Sequence, residues 1–164
     1  MPSTPRFLCA ETGSLERVDL CGILLRQLVD DRSSRVLKVT GTTTPDSLWF
    51  VYNAGAQVVV DLGGNGTTNV VRAEYGYAGP GSDQVLTVKQ GTLDGVLLLD
   101  PMIGSVRGVA AWTGALKKSY LTTLALANPW GTTPVDTGTV LRFRWAGREY
   151  DQETGLYYMR ARYY

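Results

Sequence analysis

Turn-forming residues interrupt this chain about every dozen positions, and that spacing limits its possible folds more than any other feature. Asn53-Ala54-Gly55, GGNGTT (63–68), GPGS (79–82), Gly91, Pro101 with Gly104, Thr113-Gly114 and NPWGTTPVDTG (128–138) are the clearest cases. Glycine and proline at such intervals break a helix before it gains a few turns, whereas side-by-side hairpins need them. The 19 glycines among 164 residues, with only 19% charged residues, point the same way. The expected fold class is all-β, made of successive antiparallel β-hairpins. One domain is expected over residues 15–164, after an irregular lead-in over 1–14.

The runs between the turns read as strands. SLERVDL (14–20) is one, and GILLRQLV (22–29) is either a strand or a short helix, because its apolar spacing fits both. SRVLKVT (34–40) alternates, and SLWFVY (47–52) with AQVVVDL (56–62) brackets a tight hairpin turn. GVLLLD (95–100) is nearly continuous in apolar residues, which predicts a strand covered on both faces. KKSYLTTLALA (117–127) predicts a long strand. Near the end, LRFRW (141–145) and LYYMRARYY (156–164) flank DQETG, the chemistry of a turn. Alternation sets Leu141, Phe143 and Trp145 against Arg142 and Arg144, and Tyr157, Met159, Ala161 and Tyr163 against Tyr158, Arg160, Arg162 and Tyr164. Gly155 supplies the freedom to reverse direction, and Asp151 can cap the turn through its own backbone.

Little in the chain points to a reaction. There is no histidine, so neither a Ser-His-Asp nor a Cys-His system can be assembled. Cys9 and Cys21 have neither zinc-site nor thioredoxin-type spacing, and a disulfide between them is left open. Glu149, Asp151 and Glu153 could form an acid/base pair, but a solvated turn pairing with the neighbouring arginines explains them better. DLGGNGTT (61–68) lacks both the acidic ligands of a calcium loop and the lysine of a phosphate loop. Arg142, Arg144, Arg148, Arg160 and Arg162 interleave with aromatics, a pattern that single-stranded nucleic-acid binders use. A net charge of +1 disfavours that reading. No cofactor, metal site or membrane-spanning run is expected, and MPSTPRFLC lacks the form of a signal peptide.

AGREYDQETGLYYMRARYY (146–164) closely resembles the core signature of the rearrangement hot spot (RHS) family, also called tyrosine–aspartate (YD) repeat proteins. GSVRGVAAWTGA (104–115), EYGYAGPGSDQVLTVKQG (74–91) and WFVYNAGAQVVVDLGGNGTTNVV (49–71) are similar to other parts of its pattern, and LERVDL (15–20) with RQLVDDRSSRVLKV (26–39) fits worn repeats. The resemblance implies a curved or spiralling sheet of YD-repeat hairpins, with the core signature at 138–164. It assigns structural positions to Gly104, Ser105, Val106, Arg107, Gly147, Arg148, Tyr150, Asp151, Gly155, Leu156, Tyr157, Tyr158, Arg160, Arg162, Tyr163 and Tyr164. In bacterial relatives such a sheet forms a hollow shell around a C-terminal toxin, and full-length relatives are secreted or attached to the cell surface. The implied role is a non-catalytic wall segment whose partners are further shell repeats, the toxin, or copies joined through open sheet edges. The alternative is a binding module that grips nucleic acid or glycan with its arginine–tyrosine face. Asn53 stands where the repeats carry aspartate, and Asp100-Pro101-Met102-Ile103 departs from the usual approach to Gly104. The stretch to Tyr164 contains none of the cleavage segment that follows the core in relatives, so no protease aspartate is carried over.

Overall fold

The computed structural model describes residues 15–20, 23–29, 34–41, 46–64, 70–120, 139–159 and 162–164. Cys9, Cys21, most of GGNGTT, the loop 128–138, Arg160 and Ala161 lie outside them. Among the described residues, ten strands form one sheet: β1 (Leu15–Leu20), β2 (Ile23–Val29), β3 (Arg35–Thr40), β4 (Asp46–Tyr52), β5 (Val58–Gly64), β6 (Val70–Tyr77), β7 (Val85–Gln90), β8 (Leu93–Leu99), β9 (Val106–Ala110) and β10 (Leu116–Ser119). Their order in the sheet is their order in the chain, and every neighbouring pair is antiparallel. The segment 22–29, open between helix and strand from its sequence, contains strand β2.

One irregularity recurs along the sheet. Val29 pairs with Arg35 but Leu28 with Leu37, so Val36 is an extra residue in β3. The same single-residue bulge leaves Val59 extra in β5, Leu86 in β7 and Arg107 in β9, each time just after the turn. A bulge resets which side chains face inward. It puts residues three apart on the same face, and Arg35 with Lys38, Val58 with Asp61, and Val85 with Val88 are all buried. Two tyrosines tie successive bulged hairpins together. Tyr52 donates to the Arg35 carbonyl and Tyr77 to the Val58 carbonyl, each at 2.9 Å.

The inner face so defined carries the core: Phe50, Val58, Ala73, Tyr75, Val85, Val88, Leu93, Leu97, Val106, Val109 and Tyr120 pack with Leu141 and Phe143 from the end of the chain. Tyr75 meets Phe143 edge to face, with ring centroids 4.9 Å apart. Each large apolar side chain buried this way contributes roughly 1.5–3 kcal/mol. Among the described residues, the outer face is partly exposed, with Trp49 and Val51 among its exposed side chains. GVLLLD, expected to be covered on both faces, is covered on one: Leu97 is buried and Leu98 is 37% exposed. The expected long strand over 117–127 is described only as far as Ser119, and residues 121–127 lie outside the described residues.

The expected hairpin at the end is rearranged. LRFRW is not a strand, because Leu141, Arg142, Phe143 and Arg144 are all buried, and Trp145–Gly147 forms a 3-10 turn. Sides cannot alternate between core and water where the sheet lies on one side and the chain's own hairpin on the other. The true hairpin is short, with β11 (Glu149–Asp151) against β12 (Leu156–Tyr158). LYYMRARYY does not continue as one strand either. The chain doubles back, so that Tyr163 bridges Tyr158 and Tyr164 exchanges backbone hydrogen bonds with Tyr157.

Gly95 in β8 lies so close to the Ala110 carbonyl of β9 that a Cβ would collide with its oxygen. Gly95→Ala is therefore expected to destabilise the chain by about 2–3 kcal/mol, the usual cost of overpacking, read as a lower urea midpoint with an unchanged slope.

Candidate functional site

Residues 139–159 and 162–164 lie across the inner face, and polar contacts hold them from β10 to β2. Lys118 of β10 donates to the Thr139 carbonyl, and Gln90 of β7 to that of Val140. Ser105 and Val106, at the entrance to β9, grip the 3-10 turn: the Ala146 N–H donates to Ser105 Oγ, and the Val106 N–H to the Arg144 carbonyl. Arg148 pairs with Asp83 at 3.2 Å. At the far end Tyr163 donates to Gln27 of β2 at 2.6 Å.

Charges concentrate beneath the hairpin. Arg35, 1% exposed, donates to Asp151 at 2.5 Å and to Glu149 at 2.9 Å. Lys38 reaches Asp151 and Glu153, both at 3.1 Å. Arg142 pairs with Asp61 of β5 and, at 2.6 Å, with Glu149, so one carboxylate oxygen joins two guanidiniums. Aromatic rings close the remaining faces. Arg35 lies over Tyr158 at 4.3 Å and Phe50 at 4.9 Å, and Arg142 sits over Phe50 at 4.0 Å. Such stacking favours a cation most strongly where water is excluded.

This environment shifts the groups that form it. Burial alone would push the Asp151 carboxyl up, but Arg35 and Lys38 outweigh it and hold it at about 2. Burial disfavours charge on Arg35 and Arg142, and their carboxylate partners reverse that, so both guanidiniums are held protonated more firmly than in water. Burial raises the Tyr158 hydroxyl to about 12, and burial together with Asp61 raises that of Tyr75. Asp151 is thus a fixed anion whose two oxygens are taken by cations, a poor starting point for a proton donor. A polar cavity of about 220 Å³ opens beside the network, lined by Lys38, Asp61, Arg72, Gln90, Arg142 and Asp151 among others. It is smaller than most cofactor pockets. Among the described residues, no group of three histidine, cysteine, aspartate or glutamate side chains is placed to hold a metal ion.

The residues singled out from sequence gather in two places. Gly104, Ser105, Val106 and Arg107 enter β9 beside the 3-10 turn, with Arg107 paired to Asp100 at 3.1 Å. Gly147 and Arg148 close that turn. Tyr150 packs on Arg144 and Tyr157, and Trp145 is stacked on Tyr164. Asp151, Gly155 and Leu156 make the hairpin turn, and Tyr158 with Tyr163 covers Arg35. Arg162 is exposed, while Arg160 lies outside the described residues.

One expectation is corrected. Asp151 is not part of a solvated turn: it is 1% exposed and its partners are in β3, 116 and 113 residues away, whereas Glu149 does pair with the neighbouring Arg142. Arg142 and Arg144, weighed in the alternative reading as part of a nucleic-acid face, are 8% and 3% exposed. Sequence reading passed over Arg35, Lys38 and Asp61. Asp61, a lone acid in VVVDL, and the cations of RVLKV were the available signal, because a charge at an inward strand position demands a partner.

The fold and site together define an all-β antiparallel meander with its last segment strapped by ion pairs across the inner face. No family model matches the chain. A stretch of 61 residues, 37% of the chain, is 43% identical to the tRNA(Glu)-specific nuclease WapA of Bacillus subtilis subsp. natto. Forty residues, 24% of the chain, are 52% identical to the tRNA nuclease WapA of Bacillus subtilis and to the tRNA3(Ser)-specific nuclease WapA of Bacillus spizizenii. The matched stretches span only 2–3% of the length of those proteins.

Two outcomes test the site. Because the carboxyl of Asp151 is lowered from 3.8 to about 2 on folding, its stabilisation is complete above pH 3.8. It is lost as pH falls from 3.8 through 2, a loss of roughly 2 kcal/mol. Asp151→Asn should remove that part of the acid dependence of urea unfolding. Gly155, at φ 70° in the turn, tolerates a β-branched side chain poorly. Gly155→Val should lower stability by at least about 1 kcal/mol, with Gly155→Ala intermediate.

Proposed function

We propose that this chain is a wall segment of an RHS/YD-repeat shell, structural and non-catalytic, whose bulged hairpins follow one another as units of a curved sheet. The observation that carries the reading is the burial of Arg35, Asp61, Arg142 and Asp151 between the sheet and its terminal strap. Their charges are spent on one another, which suits a seam and leaves a reagent nothing to work with. The recurrent bulge and the tyrosine ties support a repeat built by stacking, since each unit hands the next the same register.

In this reading the partners are further repeats of the shell and a C-terminal toxic domain enclosed by it. The likeness of short stretches to proteins named as tRNA nucleases fits a nuclease as cargo, with this chain as its container. The catalytic groups for RNA would then lie outside these residues.

Incubation of bulk tRNA with the purified chain and magnesium should give no cleavage above the buffer control. Cleavage that disappears in Glu149→Gln, with the fold retained, would contradict the reading. Sequencing of the flanking DNA should find further repeats, a C-terminal toxin domain and an adjacent immunity gene.

A further inference from the structure

We infer that the outer face of the sheet is a docking surface for a second copy of this chain. The strap covers the inner face, while across the outer face the strand register lines up Leu28, Leu37, Trp49, Leu62 and Val71, one from each strand from β2 to β6. Trp49 is 42% and Val71 53% exposed, and the three leucines are half-buried. Beside Trp49 and Leu62, the pair Val51 and Val60 widens the ladder. Isolated apolar residues on a surface are ordinary, but a continuous row across several strands is a patch that water disfavours.

The order of the row selects its occupant. Two aliphatic residues stand on either side of Trp49, so the ladder reads nearly the same in both directions. A two-fold axis parallel to the strands would set Leu28 against Val71, Leu37 against Leu62, and the two tryptophans together at the centre. This is the self-complementary contact of an isologous dimer, in the aligned geometry of packed sheets about 10 Å apart. Net charge adds little long-range repulsion between two copies. The net charge is +1, and the row of Val51 and Val60 continues into Glu74 and Lys89, which pair with each other at 3.3 Å.

Size sets its strength. Strands about 4.8 Å apart and about six residues long give these five strands a face of roughly 20 by 20 Å. Two such faces bury on the order of 1,000 Å² once side-chain relief is counted, the size of a reversible dimer and well short of an obligate one.

Sedimentation equilibrium of the intact chain, from about 1 to about 300 μM, tests the inference. The mass should rise from 17.9 kDa towards twice that value and stop there. Trp49→Lys should weaken association at least tenfold, with the circular dichroism spectrum and melting temperature retained. Val71→Lys, at a more exposed position, gives the same readout if Trp49→Lys fails to fold. A wild-type chain that stays monomeric throughout would overturn the inference. So would growth past the dimer, or association that neither substitution weakens, since both point to pairing through sheet edges.

Discussion

Arg35 is where the sheet and the end of the chain become one structure. A guanidinium 1% exposed cannot remain in a protein interior without compensating charge, and Asp151 and Glu149 supply it from more than a hundred residues away. The dependence is mutual, because Asp151 is equally buried and has Arg35 and Lys38 as its partners. Breaking such a pair by removing one partner costs far more than the pair gains over apolar residues of the same shape. The network therefore acts chiefly as a specification. It fixes where the strap lies and in which register, while Phe50, Tyr75, Phe143 and their neighbours supply the bulk of the burial.

That specification reaches back to the bulges. Without the extra Val36, Arg35 and Lys38 would point to opposite faces of β3 and could not both meet Asp151. The bulge at Val59 likewise brings Asp61 inward beside Val58, where Arg142 reaches it. One local backbone device, repeated along the meander, thus prepares the inner face to accept the strap. The ties from Tyr52 and Tyr77 hold that device at the same stagger from one hairpin to the next. The proposed shell reading takes this repeated preparation of one face as its physical basis.

The strands and most of their turns were legible because glycine, proline and asparagine act locally, and a turn needs no knowledge of distant residues. The alternation in LRFRW misled for the opposite reason. Arg142 and Arg144 are buried because Asp61, the Leu141 carbonyl and the rings of Phe50 and Tyr150 are there to receive them. Those partners come together only in the folded chain. The bulges were equally hidden, since Val36, Val59 and Leu86 look like ordinary members of an apolar run. Asp151 could be assigned to a turn, but nothing nearby in the sequence says that the turn is buried under β3.

The most direct measurement of the central claim is a double-mutant cycle on Arg35→Met and Asp151→Leu, followed by urea unfolding of the intact chain. Each single change strands a buried charge and should cost about 3–5 kcal/mol, while the double change should recover much of that loss. A coupling of about 2 kcal/mol or more is the result this account predicts. Additive losses, with a coupling below about 0.5 kcal/mol, would mean that the strap is not seated through Arg35 and would contradict it.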